Sequence, residues 1–356
     1  MRAISEIFEE TQLVITLKDT SPPPGAMALT GNNLIISPLK EPKGRDTNRK
    51  LHLPLWFLRN LQELWHQIKK ADAVHALVPG DVGFIGLILA YIQQKPLFIR
   101  HCGTWGSPVT IWDKILFWVI EHIAGGKTVT FATGGGLNPP SVKNPNIKWV
   151  HSTSLTEEQL NSIKTAKPWK PGETLRLVTV ARLSKGKNIK TVIESIPLLL
   201  LQGLDIRLDV IGDGPEKASL VSLSEALNIT EQVFVLGNIP HSDVLNILSK
   251  SHLFVFPTLV KEGFPKAVLE AMACGLPVIA TEVSVLPKLL GNGRGILLHK
   301  TDAQELSKVI SDIITDPSRM ARMGKKAHEA AKAYSLEKWR DLIKSELERA
   351  WKIPLS

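Results

Sequence analysis

Cysteine is nearly absent from this chain of 356 residues: there are two, Cys102 and Cys274, far apart in sequence. They supply neither a zinc-ligand spacing nor a disulfide framework, which points to a reducing compartment such as the cytoplasm. Long hydrophobic runs are missing too. The longest, Val82 to Ile92, is too short to span a bilayer, and ILFWVIEHIAGG (115–126) is interrupted by Glu121 and His122, so it reads as a core helix. The opening MRAISEIFEE is charged and amphipathic, unlike a secretory leader. There is no G-x-G-x-x-G, which excludes the dinucleotide fingerprint, and no Asp-x-Asp pair to hold Mg²⁺. No long Lys/Arg run and no basic patch interleaved with aromatics occurs, so nucleic acid is not an expected partner.

What is present is the composition of a globular protein, 44% hydrophobic and 22% charged, long enough for two domains. The net charge of +9 suits an acidic small ligand, or peripheral contact with an anionic membrane. Short apolar runs alternate with helical patterns. Strands are expected near 12–17, 34–36, 73–78, 96–101, 128–132 and 148–151, and again near 175–181, 206–211, 232–236, 253–256, 278–281 and 295–298. Runs such as RLDVIG and LFVFP are continuous rather than alternating, as in parallel strands buried on both faces. The pattern predicts doubly wound α/β domains. AKPWKPGET (166–174), with two prolines and a glycine, reads as the linker between domains 1–168 and 169–334. SPPPG (21–25) and KEPKGRDTNRK (40–50) read as exposed loops. Near the C-terminus Leu336, Trp339, Ile343, Leu347 and Trp351 recur at helical spacing.

The stretch FPTLVKEGFPKAVLEAMACGLPVIAT (256–281) carries the chemistry. Seven residues separate Glu262 from Glu270, between an apolar strand that leads in and another that leads out. Pro265 marks the start of a helix, with Glu262 just before it and Glu270 about two turns in. Free amides of Gly263, Phe264 and Lys266, with the positive end of the helix dipole that begins at Pro265, would face an anion at the mouth of a sheet. Arg182 ends one strand, and Lys187 begins the next helix, at the strand edge where α/β sheets bind ligands.

This stretch resembles the Glu-x7-Glu signature of glycosyltransferase family 4, the retaining GT-B enzymes. R182-L-S-K-G-K187 resembles the same family's Arg-Leu-x-x-x-Lys element, and Gly212 lies in a G-x-G-P turn of its kind. The resemblance is dense from about 175 to 300. It implies two Rossmann-like domains facing a cleft, the C-terminal helix (335–356) crossing back to the first. It implies transfer, with retention, from a nucleotide-diphosphate sugar to a saccharide or lipid-linked acceptor, without a cofactor or metal. Glu262 would hold sugar hydroxyls, Glu270 the ribose, Arg182 and Lys187 the diphosphate, and the backbone at Leu236 and Gly237 the base.

In the first domain the resemblance picks out His101, at a strand end beside the transferred sugar. Gly103 and Trp105 follow as cleft residues, Trp105 either walling the acceptor or packing. ATGGGLNPP (132–140) reads as a flexible Gly-rich loop at the cleft edge. The strand and Gly-rich loop with which family members begin have no counterpart here, so the resemblance implies either a chain truncated at its start or a branch that builds this lobe differently, and an apolar edge is expected where they would lie. Two other readings of the same fold remain: a sugar-nucleotide epimerase or phosphorylase, and a non-catalytic sugar-nucleotide binding or scaffold protein.

Overall fold

The computed structural model describes residues 2–17, 29–42, 46–106, 108, 110–136 and 138–356, without the side chains of 46–51. The chain forms two compact units. The first is Met1–Gly134, Asn138–Val150 and Trp339–Ser356; the second is Gly135–Leu137 and His151–Lys338.

In the first unit the strands are β1 (Thr11–Leu17), β2 (Leu34–Lys40), β3 (Val74–Val78), β4 (Leu97–His101), β5 (Thr128–Thr133) and β6 (Ile147–Val150). β3-β4-β5-β6 form a parallel sheet in that order, while β1 and β2 pair with each other. Among the described residues no hydrogen-bonded strand pair joins that ladder to the larger sheet. The helices are α1 (Arg2–Ser5), α2 (Asp46–Lys70), α3 (Asp81–Ile92) and α4 (Ile111–Ile123). Trp56, Leu64, Leu87, Leu116 and Ile120 pack from α2, α3 and α4 onto Ile99 and Ala132 of the sheet. α4 starts on a capping box, Thr110 and Asp113 each accepting the other's backbone N–H, which satisfies two donors a helix start leaves open. Its reading as a core helix holds for one face only, since Ile115 and Trp118 are exposed.

In the second unit β7 (Leu175–Val180), β8 (Ile206–Ile211), β9 (Val233–Gly237), β10 (Leu253–Phe256), β11 (Val278–Thr281) and β12 (Gly295–Leu298) lie in the parallel order β12-β11-β10-β7-β8-β9. Helices α5 (Glu157–Ser162), α6 (Ile189–Leu200), α7 (Lys217–Ala226), α8 (His241–Leu248), α9 (Lys266–Ala273), α10 (Leu286–Leu290), α11 (Ala303–Ile314) and α12 (Pro317–Ala331) surround it. Successive residues face opposite sides: Leu253 and Val255 join one buried cluster, Phe254 and Phe256 the other. Each such side chain contributes about 1.5–3 kcal/mol on burial. Covering both sheet faces is what makes these strands continuous apolar runs.

Two expectations are corrected. Residues 151–168 belong to the second unit. Leu155 and Leu160 are in its core, the Ala166 amide donates to the Cys274 carbonyl at 2.7 Å, and Trp169 is buried within the proposed linker. Pro171 opens a turn and Pro168 lies in irregular chain, both inside the second unit. Asp46 to Lys50, read as loop, open α2, while 21–25 and 43–45 lie outside the described residues. α13 (Leu336–Trp351) counts with the first unit from Trp339 onward. The Trp351 indole donates to the Lys127 carbonyl at 2.9 Å, and Lys148 pairs with Glu346 at 2.7 Å.

Candidate donor site at the switch point of the second sheet

The chain runs β7, β8, β9 toward one edge of the second sheet and then β10, β11, β12 toward the other. The reversal falls between β7 and β10, and α/β sheets bind ligands outside the carboxyl ends of strands at such a point. The loops after these two strands carry the basic and acidic residues singled out in the sequence. Lys187 and Glu262, 75 positions apart, form an ion pair through Glu262 Oε1, with both side chains largely buried. The Thr258 hydroxyl donates to the same oxygen at 3.1 Å, and the Lys187 ammonium lies 5.4 Å from the centre of the Phe256 ring. The loops are tied by Leu259 N–H to the Gly186 carbonyl at 2.8 Å, and Ser284 Oγ donates to the Glu262 carbonyl at 2.5 Å. Sequence reading gave Lys187 and Glu262 separate tasks; the fold makes each the other's partner.

Glu270 is held in the same manner. Its Oε1 accepts from Ser154 Oγ at 2.7 Å and lies 3.0 Å from His241 Nε2 at the start of α8. A carboxylate can only accept, so Nε2 carries the proton. Glu270 is 7% exposed. Neither Ser154 nor His241 was found from sequence, because they come from elements 116 and 29 residues away. Among the described residues, Oε2 of both glutamates has no hydrogen-bond partner. Two fixed carboxylates thus each present one uncommitted oxygen.

α9 begins at Lys266 with Pro265 as the residue before its first turn, so Glu270 sits just over one turn in, not two. The Val268 amide is satisfied by the Pro265 carbonyl at 3.1 Å, while the Lys266 and Ala267 amides make no hydrogen bond among the described residues. Lys266 is exposed, Gly263 is partly buried, and the Phe264 ring lies 5.6 Å from that of Tyr334, tilted by 45°. Arg182 is exposed and has no side-chain partner among the described residues. On the other side of β7, the ladder between β8 and β9 shifts register so that Leu236 has no ladder partner and Gly237 pairs with Ile211. Gly237 has φ +73°, and its carbonyl accepts from the Gly212 amide at 2.9 Å. Gly212 has φ +131°, and a Cβ there would lie 1.9 Å from the Ala181 carbonyl oxygen. That position is closed to other residues. Such a bulge leaves backbone groups of Leu236 available at the strand end.

His241 titrates under Glu270's influence. The hydrogen bond to that carboxylate raises its pKa above the ordinary 6.5, burial opposing. Lys266, Cys274 and Glu270 are the charged or titratable groups that share this environment, and burial pushes the Cys274 thiol up to about 12. A raised folded-state pKa means that the pair's stabilisation is fully present below 6.5 and is lost as the pH rises through the raised value. His241→Gln is therefore expected to lower the melting temperature at mildly acidic pH, by an amount that shrinks toward alkaline pH. Melting curves across pH check this; a mutant deficit independent of pH would contradict it.

In the first unit His101 is 3% exposed, its Nδ1 has no hydrogen-bond partner among the described residues, and burial lowers its pKa to about 4. It is a neutral imidazole at physiological pH. Trp105, expected either to wall an acceptor or to pack, packs. It is 8% exposed, donates through Nε1 to the Pro140 carbonyl at 2.8 Å and meets His101 edge-on at 5.2 Å. Gly103 lies against His101, where a Cβ would come within 3.2 Å of Cε1. The loop 132–140, apart from Leu137, which lies outside the described residues, is anchored by two indoles, Trp105 on Pro140 and Trp149 on Asn138. Among the described residues no group of three or more His, Cys, Asp or Glu side chains could hold a metal ion, and no helix is long and apolar enough to cross a membrane.

Two parallel-sheet Rossmann-like units of this kind make a GT-B fold, and comparison with known proteins agrees. Sucrose-phosphate synthase from Thermosynechococcus elongatus superposes with a TM-score of 0.71 at 19% identity, over 95% of this chain and 89% of that one. Anabaena HepE, solved in complex with UDP and glucose, gives 0.68 at 18%, over 89% and 87%. Residues 162–330, all of them in the second unit, match the family described as glycosyl transferases group 1. The chain is 32% identical over 148 residues to the putative colanic acid biosynthesis glycosyltransferase WcaL of Salmonella typhimurium, covering 40% of this chain and 36% of that protein. It is 30% identical over 142 residues to the phosphatidylinositol N-acetylglucosaminyltransferase gpi3 subunit of Schizosaccharomyces pombe, covering 40% and 31%. The chain thus spans about a third of the length of the curated relatives it matches.

Proposed function

We propose that this protein is a glycosyltransferase that moves a sugar, with retention, from a nucleotide-diphosphate sugar to a saccharide or lipid-linked acceptor. The observation that carries this reading is the pair Lys187–Glu262 at the switch point of the second sheet, beside the open amides of α9. Arg182, Lys187 and the Lys266 and Ala267 amides would stabilise the diphosphate as its charge grows on departure. The free oxygen of Glu262 would hold sugar hydroxyls and steady the positive charge developing at the anomeric carbon. That of Glu270 would take the ribose, and the backbone at Leu236 and Gly237 the base. In front-side attack the acceptor oxygen bonds the anomeric carbon as the bond to the diphosphate breaks. The departing phosphate takes the acceptor's proton. Neutral His101 would serve as a hydrogen-bonding group near the sugar, not as a cation. UDP sugars are the first donors to test, because HepE was solved with UDP. Lipid-linked acceptors come next, because the relatives include a phosphatidylinositol N-acetylglucosaminyltransferase. The reading places the protein in the cytoplasm, at the inner face of a membrane.

The reaction is expected to need no metal, since cations and a helix start would do at the diphosphate what Mg²⁺ does elsewhere. Release of nucleotide from a panel of labelled donors, with and without EDTA, tests both points. Turnover that persists in EDTA is expected. Full loss restored by Mg²⁺ or Mn²⁺ would overturn metal independence, and no release with any donor and acceptor would favour the binding-protein reading.

A further inference from the structure

The helical layer of the first unit is apolar on both sides. β3, β4, β5 and β6 follow one another across their sheet, and right-handed crossovers in one direction put α3 and α4 on the same face. α2 packs into the same core. The inward residues fill that core, yet the outward side of α4 shows Ile111, Trp112, Ile115 and Trp118, with Trp112 57% and Trp118 59% exposed. α2 shows Leu55, Leu58 and Trp65, and the end of α3 shows Tyr91 and Ile92. An open groove of about 550 Å³ between α2 and α3 is lined by Phe57, Leu58, Leu61, Trp65 and Leu89, with Gln62. Exposed apolar surface on this scale marks an interaction site.

The charges interleaved with it say what kind. Among the described exposed side chains of these three helices the cations are Arg59, Lys69, Lys70 and Lys114, and the acid is Glu63, which is engaged by Gln67. The cores of protein–protein interfaces are depleted in Lys. Tryptophan and tyrosine rings set among aliphatics and cations are the composition of a surface lying in the headgroup region of an anionic bilayer. We propose that the outer face of α2, α3 and α4 docks this protein on an anionic lipid membrane, Trp112 and Trp118 entering the interface and Arg59, Lys69, Lys70 and Lys114 meeting lipid phosphates. α4 links this face to the interior: its Phe117 ring lies 5.2 Å from His101 and 4.7 Å from Trp105. The surface needs neither donor nor acceptor, so its test is separate from that of sugar transfer.

The test is flotation of the whole chain with vesicles of phosphatidylcholine alone or mixed with phosphatidylglycerol. Wild type is expected to float with the mixed vesicles, less so at raised salt. Arg59→Gln, Lys69→Gln and Lys114→Gln should each weaken binding roughly five-fold. The double change Trp112→Gln with Trp118→Gln should weaken it roughly ten-fold or more. Both tryptophans are exposed, so an unchanged melting temperature is expected and separates lost docking from lost fold. Failure of wild type to float, or equal flotation of the tryptophan variant, overturns the proposal. So does sedimentation showing a dimer that the tryptophan changes dissolve without any vesicle binding, which would assign the face to a second copy.

Discussion

Glu262→Ala will reduce sugar transfer by about a thousand-fold or to background. The loss has two sources that the structure separates. The carboxylate's free oxygen, proposed to hold the sugar, is gone. Lys187, with 18% of its side chain exposed, also loses its partner. A largely buried ammonium without that partner costs about 1–3 kcal/mol of stability. Glu262→Gln keeps an acceptor for Thr258 and Lys187 and is expected to remain close to wild type in melting temperature. Having no charge to offer the transition state, it should still be nearly inactive. Wild-type turnover in either variant would remove Glu262 from the chemistry. Inactivity of the alanine variant alone would make its role that of positioning Lys187.

Arg182→Ala will weaken binding of a nucleoside diphosphate by about ten- to a hundred-fold, or 1.5–3 kcal/mol for one charge-assisted contact, and will hardly change nucleoside binding. Arg182 is exposed and unpaired among the described residues, so the fold does not depend on it and its melting temperature should not move. Lys187→Ala should produce the same selective loss of diphosphate affinity. Here the melting temperature should drop as well, because Glu262 is stranded instead. Calorimetry with both ligands decides the matter: equal losses for nucleoside and diphosphate would contradict contact with the phosphates.

What the sequence made legible follows a physical rule. The central strands of the two larger sheets were readable because a parallel strand covered on both faces is apolar along its length, as Leu253–Phe256 is. The Glu262–Pro265–Glu270 stretch was readable because strand, turn and helix start are contiguous. The pairings were not. Lys187 with Glu262, and Ser154 and His241 with Glu270, join residues that only the sheet order brings together. Trp105 was ambiguous because an aromatic after a strand end carries no mark of which way it points; the Pro140 carbonyl decides it. The unit boundary was misplaced because composition shows where a chain turns, and only buried side chains such as Leu155, Leu160 and Trp169 show which unit it belongs to.

The β1–β2 ladder has a consequence for how the first unit breathes. Among the described residues its two parallel strands pair only with each other, and Leu17 and Ile35 are each 48% exposed. A two-stranded sheet is marginal by itself, and parallel pairing is the weaker kind. β4, by contrast, is flanked on both sides and carries Leu97, Phe98 and Ile99 fully buried. The two pieces should open as separate cooperative units. Amide hydrogens of Leu13 to Leu17 are expected to exchange with solvent deuterium well before those of Phe98 and Ile99. Uniform protection across both would mean that the ladder and the sheet melt as one body.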